Sequence, residues 1–164
     1  MTEPGRQHTG ARPSEFVSIA AQTIAATPLA SVWVSASAGS GKTKVLADRV
    51  LRLLLNGSPA GKILCLTFTR AAAAEMQNRI RGLLGDWAVM PEAELDAAIV
   101  GLSGDTPTSK IRTLARRLFA EVLDTPGGLK IQTIHAFCES LLGRFPVEAG
   151  LAPYFHVMDE RTAA

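Results

Sequence analysis

An α/β fold with a parallel sheet is predicted by three features of this sequence. A glycine-rich turn, Ala36-Ser37-Ala38-Gly39-Ser40-Gly41-Lys42-Thr43, lies between a short apolar run and a segment of helical spacing. A second apolar run, Ile63-Leu64-Cys65-Leu66-Thr67-Phe68, leads directly into a second helical segment, and a third strand-to-helix unit begins at Lys130-Ile131-Gln132-Thr133. Strands that alternate with helices pair in parallel through right-handed crossovers.

Taken in order, Met1 to Glu15 is polar, rich in Gly, Pro and Thr, and lacks an apolar secretory core, so it reads as a disordered tail over 1–15. Phe16 to Ala26 is a helix closed before Pro28, and Ser31-Val32-Trp33-Val34-Ser35 is a first strand. Lys44 to Leu55 carries Val45, Leu46, Val50, Leu51 and Leu54 at helical spacing. The cluster Asn56 to Gly61 is a turn. The near-continuous apolarity of Ile63–Phe68 fits a parallel strand covered on both faces. Thr69 is placed to cap a helix over Arg70–Leu84. From Gly82 to Ser109 there is no Lys or Arg, while five acidic residues fall there, so a helical insertion is expected at about 86–125. Within it Pro91–Val100 is a short helix, and Lys110–Leu123 is an amphipathic helix whose basic face (Lys110, Arg112, Arg116, Arg117) reads as solvated. His135 to Arg144 is a third core helix; Pro146–Tyr154 is loop-like, and Phe155–Glu160 has no clear pattern.

The turn at 36–43 carries chemistry. Gly39 and Gly41 permit backbone conformations that let successive N–H groups point at one anion. Lys42 places a fixed positive charge where β- and γ-phosphates sit, and Thr43 offers a hydroxyl to Mg²⁺. A helix begins at the loop, so the phosphates of a nucleotide meet its N-terminus. The first position of the common G-x-x-x-x-G-K-[ST] pattern is Ala36 in this chain.

With 164 residues, 47% hydrophobic and 20% charged, the chain suits one domain with a sizeable core. A formal net charge of +2 gives no global electrostatic case for nucleic acid, so any such case is local. Cys65 and Cys138 stand alone in apolar runs and read as buried, reduced thiols. No run of about 18 apolar residues is present, so no membrane span is expected, and the chain reads as cytoplasmic.

Thr67-Phe68-Thr69-Arg70 closes the second strand, at the sheet edge where open α/β folds bind ligands. Hydroxyls, a ring and a guanidinium suit one strand of nucleic acid: phosphate to hydroxyl, base to ring. Thr133-Ile134-His135-Ala136-Phe137 repeats the theme at the third strand end. Together these motifs resemble superfamily 1 DNA helicases of the UvrD/Rep type. The loop spelled A-x-A-G-S-G-K-T, Thr-Phe-Thr before a helix that opens alanine-rich and continues through Glu75-Met76, and Ile131-Gln132-Thr133-Ile134-His135-Ala136-Phe137-Cys138 are similar to its first, Ia and next DNA-contacting motifs. The last, with Arg144-Phe145-Pro146 and Glu148-Ala149-Gly150, is closer still to the AddA group of helicase–nuclease subunits, related to RecB. The resemblance implies a RecA-like P-loop NTPase sheet over 16–164, ATP and Mg²⁺ as cofactors, and single- and double-stranded DNA as partners, with an AddB-like subunit beside it. It implies that Gln22, twenty positions before Lys42, reads adenine, since an amide bonds adenine N6 and N7 together. It makes Lys42 and Thr43 catalytic, lets Phe68 stack a base with Thr67, Thr69 and Arg70 on the backbone, and places His135 and Phe137 along the same track.

ATP hydrolysis in that family needs an acidic pair after a further strand and arginines from a second motor domain. Asp159-Glu160 follows an apolar run but ends in Arg161-Thr162, without the family's D-E-x-[QH]-D continuation, and is not read as that pair. The chain therefore reads as the N-terminal piece of a longer 3′–5′ DNA helicase or translocase of double-strand-break repair, inactive by itself, with an unpaired sheet edge that predicts poor solubility. Two alternatives stay open: a nucleotide- or DNA-binding module without turnover, and a P-loop small-molecule kinase. The absence of arginine from Gly82 to Ser109 counts against a kinase lid.

Overall fold

The computed structural model describes residues 21–35, 37, 39, 41–152 and 155. Helix α1 is described over residues 21–25. It is followed by α2 (Lys42–Leu55), a 3-10 turn (Ala60–Lys62), β1 (Leu64–Thr67), α3 (Arg70–Val89), α4 (Glu92–Ser103), α5 (Ser109–Asp124), β2 (Lys130–Thr133) and α6 (Ile134–Arg144). β1 and β2 pair in parallel, from Leu64 opposite Lys130 to Thr67 opposite Thr133. The protein is thus α/β, with a small parallel sheet of two strands among the described residues and mostly helices around it.

The first expected strand is not formed. Residues 31–35 have no strand pairing, and Trp33 is 93% exposed. A strand exists through its ladder, and no neighbouring strand among the described residues supplies hydrogen bonds to this apolar run. β1 also departs from the expectation of cover on both faces: Leu64 and Leu66 are each 43% exposed, while Cys65 is half-buried. The expected tail at 1–15 and the start of the first helix lie outside the described residues.

Helix α3 is set by its cap and its apolar stripe. The Thr69 hydroxyl accepts a hydrogen bond from the Ala72 N–H at 3.1 Å, satisfying one of the free donors at the helix start. Ala73, Met76, Ile80, Leu84 and Trp87 then form a buried stripe at three- and four-residue spacing. The helix passes the expected end at Leu84 and runs to Val89, just before Pro91. Glycine within a helix costs about 1 kcal/mol relative to alanine. Gly85 faces α5, where a Cβ would make ordinary van der Waals contact with the Phe119 ring at 3.6 Å. Burial of Leu84 and Trp87 outweighs the low propensity of glycine.

Two arginines of the basic face of α5 are structural, which corrects its reading as solvated. Arg112 meets Asp96 of α4 through two hydrogen bonds, Nε to Oδ1 at 2.6 Å and Nη2 to Oδ2 at 2.8 Å. Arg116 donates to the carbonyls of Trp87, Ala88 and Met90, where the last turn of α3 leaves acceptors unpaired. The solvated part is Lys110 and Arg117, the latter in an exposed pair with Glu121.

The main core joins α2 (Leu51, Leu54), α3 (Ile80, Leu84), α4 (Leu95, Ile99), α5 (Leu118, Val122) and β2 (Ile131). α6 contributes no fully buried residue. Cys138 lies on its exposed side, contrary to the expectation of burial; Cys65 is half-buried, and burial raises its thiol pKa. No described helix is long and apolar enough to cross a membrane.

Two outcomes follow from this packing. Leu84→Ala should lower stability by about 2–5 kcal/mol, the usual range for a buried leucine, while Val89→Ala on the same helix, at a position 83% exposed, should be nearly neutral; denaturant titration of the two variants measures the contrast. The Arg112 guanidinium holds the Asp96 carboxyl below its ordinary value of 3.8. The unfolded chain then takes up that proton first, so the contribution of the pair is complete above 3.8 and fades as the pH falls below it. The stability difference between wild type and Asp96→Asn should therefore shrink on acidification through that range, and a difference independent of pH would refute the assignment.

Candidate functional site

The glycine-rich loop ends at a helix start, as its spelling requires. Gly39 and Gly41 adopt φ values of 78° and 85°, the left-handed region that glycine enters without strain. Gly41 is the N-cap of α2 and brings no capping side chain of its own, and no acidic residue occupies the first turn. The α2 N-terminus therefore presents the positive end of its dipole at the loop, where an anion is favoured. Lys42 Nζ donates to the Ser37 carbonyl at 2.6 Å, so the ammonium folds back over the loop. Thr43, next in the helix, is half-buried. Ala36, Ala38 and Ser40 lie outside the described residues.

Gln22 comes to this loop from α1. A Cβ at Gly41 would stand 3.4 Å from Gln22 Nε2, so the amide lies against the N-cap of α2. The structure thereby brings together Gln22, Ser37, Gly41 and Lys42.

What holds α1 there is not among the residues that the sequence singles out. Arg49 Nη1 donates to the carbonyls of Ala25 (3.2 Å) and Thr27 (2.7 Å), and Nη2 to those of Pro28 (3.3 Å) and Ala30 (2.6 Å). Arg52, one turn further along α2, donates to Thr23 O at 3.1 Å and to Leu102 O at the end of α4. The signal in the sequence is a pair of arginines three residues apart on α2, which places both on one face. Asp48, also on α2, has its pKa raised by burial, opposed by Lys44, Arg52 and Arg79.

The strand ends form a second group of residues. Parallel register sets Thr67 opposite Thr133 at the C-terminal edge of the sheet. Each strand end there leads into a helix capped by threonine: Thr69 for α3, and Thr133, whose hydroxyl accepts from Ala136 N–H at 3.1 Å, for α6. The Thr67 hydroxyl donates to Thr69 O at 2.9 Å, which fixes the turn between them. Two helix N-termini thus open on one edge, with no acidic residue in either first turn. Phe68 stands 86% exposed in the turn before α3, and Arg70 and His135 are exposed as well. Phe137 is placed differently: it is half-buried and lines a groove beneath α6 with Leu64, Gln132 and Leu141. Among the described residues, no group of three or more His, Cys, Asp or Glu is arranged to hold a metal ion. Asp159 and Glu160 lie outside the described residues.

The sequence profile of the UvrD/REP helicase N-terminal domain matches residues 18–164. An ATP-dependent helicase/nuclease subunit from Pediococcus pentosaceus is 36% identical over 128 residues, which is 78% of this chain and 9% of that protein. The protein of the same description from Lactobacillus gasseri is 36% identical over 133 residues, 81% of this chain and 9% of that protein. That from Lactiplantibacillus plantarum is 33% identical over 129 residues, 79% of this chain and 9% of the other. The chain thus spans about a tenth of the length of the curated relatives it matches. Both motif-bearing strand ends and the glycine-rich loop fall inside the matched residues, and the chain belongs to the UvrD/REP helicase N-terminal domain family.

Proposed function

We propose that this chain is the ATP-binding N-terminal part of a 3′–5′ DNA helicase or translocase of the AddA kind, acting in double-strand-break repair in the cytoplasm beside an AddB-like subunit. In this reading the fold is the beginning of a RecA-like P-loop sheet, and residues 31–35 become its phosphate-loop strand once a neighbour supplies the ladder. The observation that carries the reading is the meeting of the Gln22 amide with the N-cap of α2, where Lys42 also begins. An adenine-reading amide and a triphosphate-binding lysine belong on one nucleotide.

In this mechanism the α2 N-terminus and Lys42 neutralise the β- and γ-phosphates, and Thr43 positions Mg²⁺. Lys42 exchanges its bond to the Ser37 carbonyl for phosphate oxygens when nucleotide enters. Thr43 follows directly on the helix and is half-buried; its hydroxyl would hold the metal ion, which would offset phosphate charge. Turnover further needs a carboxylate to orient water and cations against the charge developing on the γ-phosphoryl group, so these residues alone bind nucleotide without useful hydrolysis. DNA runs along the edge where α3 and α6 begin. Its phosphates face Arg70 and the two helix N-termini, and a base stacks on the exposed Phe68 ring, with Thr67, Thr69 and His135 completing the track; the half-buried Phe137, in the groove beneath α6, is not part of it.

In the full-length protein, Lys42→Ala should reduce DNA-stimulated ATP hydrolysis by about 10²–10³-fold, the scale of losing one charge-stabilising group; undiminished turnover would sink the assignment. Phe68→Ala should weaken single-strand binding by about 1–3 kcal/mol, the worth of one stacked base, with the slope of affinity against salt unchanged because no phosphate contact is lost. Fluorescence anisotropy over a salt series checks both parts.

A further inference from the structure

Arg49 has no place in the chemistry above, yet its guanidinium gathers four backbone carbonyls within 3.3 Å. They belong to residues 25, 27, 28 and 30, the stretch that leaves α1 and leads toward the phosphate loop. Carbonyls at a helix C-terminus lack intrahelical donors and carry the negative end of the dipole, so a cation with a planar fork of five donors is well matched to them. The following residues, 31–35, have no ladder to hold them. Arg49 supplies that tie from the side of α2.

The same helix starts at the phosphate loop. Lys42 and Arg49 are two turns apart on α2, about 10 Å at 1.5 Å per residue. Arg52, three residues beyond Arg49, adds a bond to Thr23, the neighbour of Gln22. One rigid helix therefore fixes both the lysine that faces phosphate and the segment that carries the amide facing the base.

We infer that Arg49 is a positioning residue for base recognition: by binding the carbonyls that follow α1 it sets the Gln22 amide at the distance from the phosphate loop that suits a purine nucleotide with a 6-amino group. The inference rests on the assignment of Gln22 as the base reader. A residue that merely stabilised the fold would affect every nucleotide alike, whereas a positioning residue changes the preference for one base over another.

The test uses the full-length protein and compares DNA-stimulated hydrolysis of ATP and GTP. Gln22→Ala and Arg49→Met should each lower the ratio of kcat/KM for ATP to that for GTP by about tenfold, within the discrimination one bidentate base contact provides, and chiefly through KM for ATP. The double variant should show no further fall in that ratio, because both changes remove one contact. Arg49→Lys, which keeps the charge with fewer and differently directed donors, should fall between; it decides the matter by the same ratio should Arg49→Met fail to fold. An unchanged ratio in the Arg49 variants, or additive losses in the double variant, would overturn the inference while a collapsed ratio in Gln22→Ala left the base reader standing. An unchanged ratio in Gln22→Ala would remove the base reader and the inference with it.

Discussion

Parallel pairing of β1 with β2 is the constraint on which the arrangement depends. Two parallel strands cannot be joined by a tight turn; the chain must return to the starting end before it can pair again. The return is made here by α3, α4 and α5, and α3 packs against both α5 and the strands. The same pairing puts both strand C-termini on one edge, with Thr67 opposite Thr133. Each strand end then starts a helix capped by its own threonine, so two positive helix ends face the same direction as a consequence of register.

The returning helices are held by more than apolar contact. Arg112 and Arg116 on α5, and Arg49 and Arg52 on α2, all direct guanidinium groups at helix C-termini or carboxylates. Exposed single ion pairs contribute little, so the value of these contacts lies mainly in satisfying carbonyls that packing removes from water. The acidic, lysine-free stretch and the basic helix after it are two halves of one contact, since Asp96 on the first meets Arg112 on the second. Their charge segregation along the chain is a folding signal as much as a surface property.

Local rules made much of this legible. Capping by Thr69, the apolar spacing of α2 and α5, and the bounds of β2 are written in neighbouring residues, and so is the left-handed turn at Gly39 and Gly41. The departures share a cause. Val32-Trp33-Val34 has the composition of a strand, but strand formation is a property of a pair. The apolarity of Leu64 and Leu66 predicts a cover that the described residues do not provide. The expected end of α3 at Leu84 is passed because Trp87 beyond it is buried in the core, and the apolar setting of Cys138 suggests a core that α6 does not enter. The sequence shows the two clamp arginines but not what they hold, because backbone carbonyls leave no trace in side-chain pattern.

The residue order by itself determined the left-handed glycine turn at the start of α2, the threonine-capped start of α3, the bounds of β2 and the family to which the motifs belong, because turn chemistry, capping and periodicity act over a few neighbouring positions. Tertiary structure alone decided that Gln22 lies against Gly41, that Thr67 stands opposite Thr133, that Phe137 turns beneath α6 while Phe68 stays in the open, and that Arg49 holds the carbonyls after α1. These depend on strand register and on the crossing of helices distant in sequence, where geometry chooses among many pairings that local pattern leaves equally acceptable.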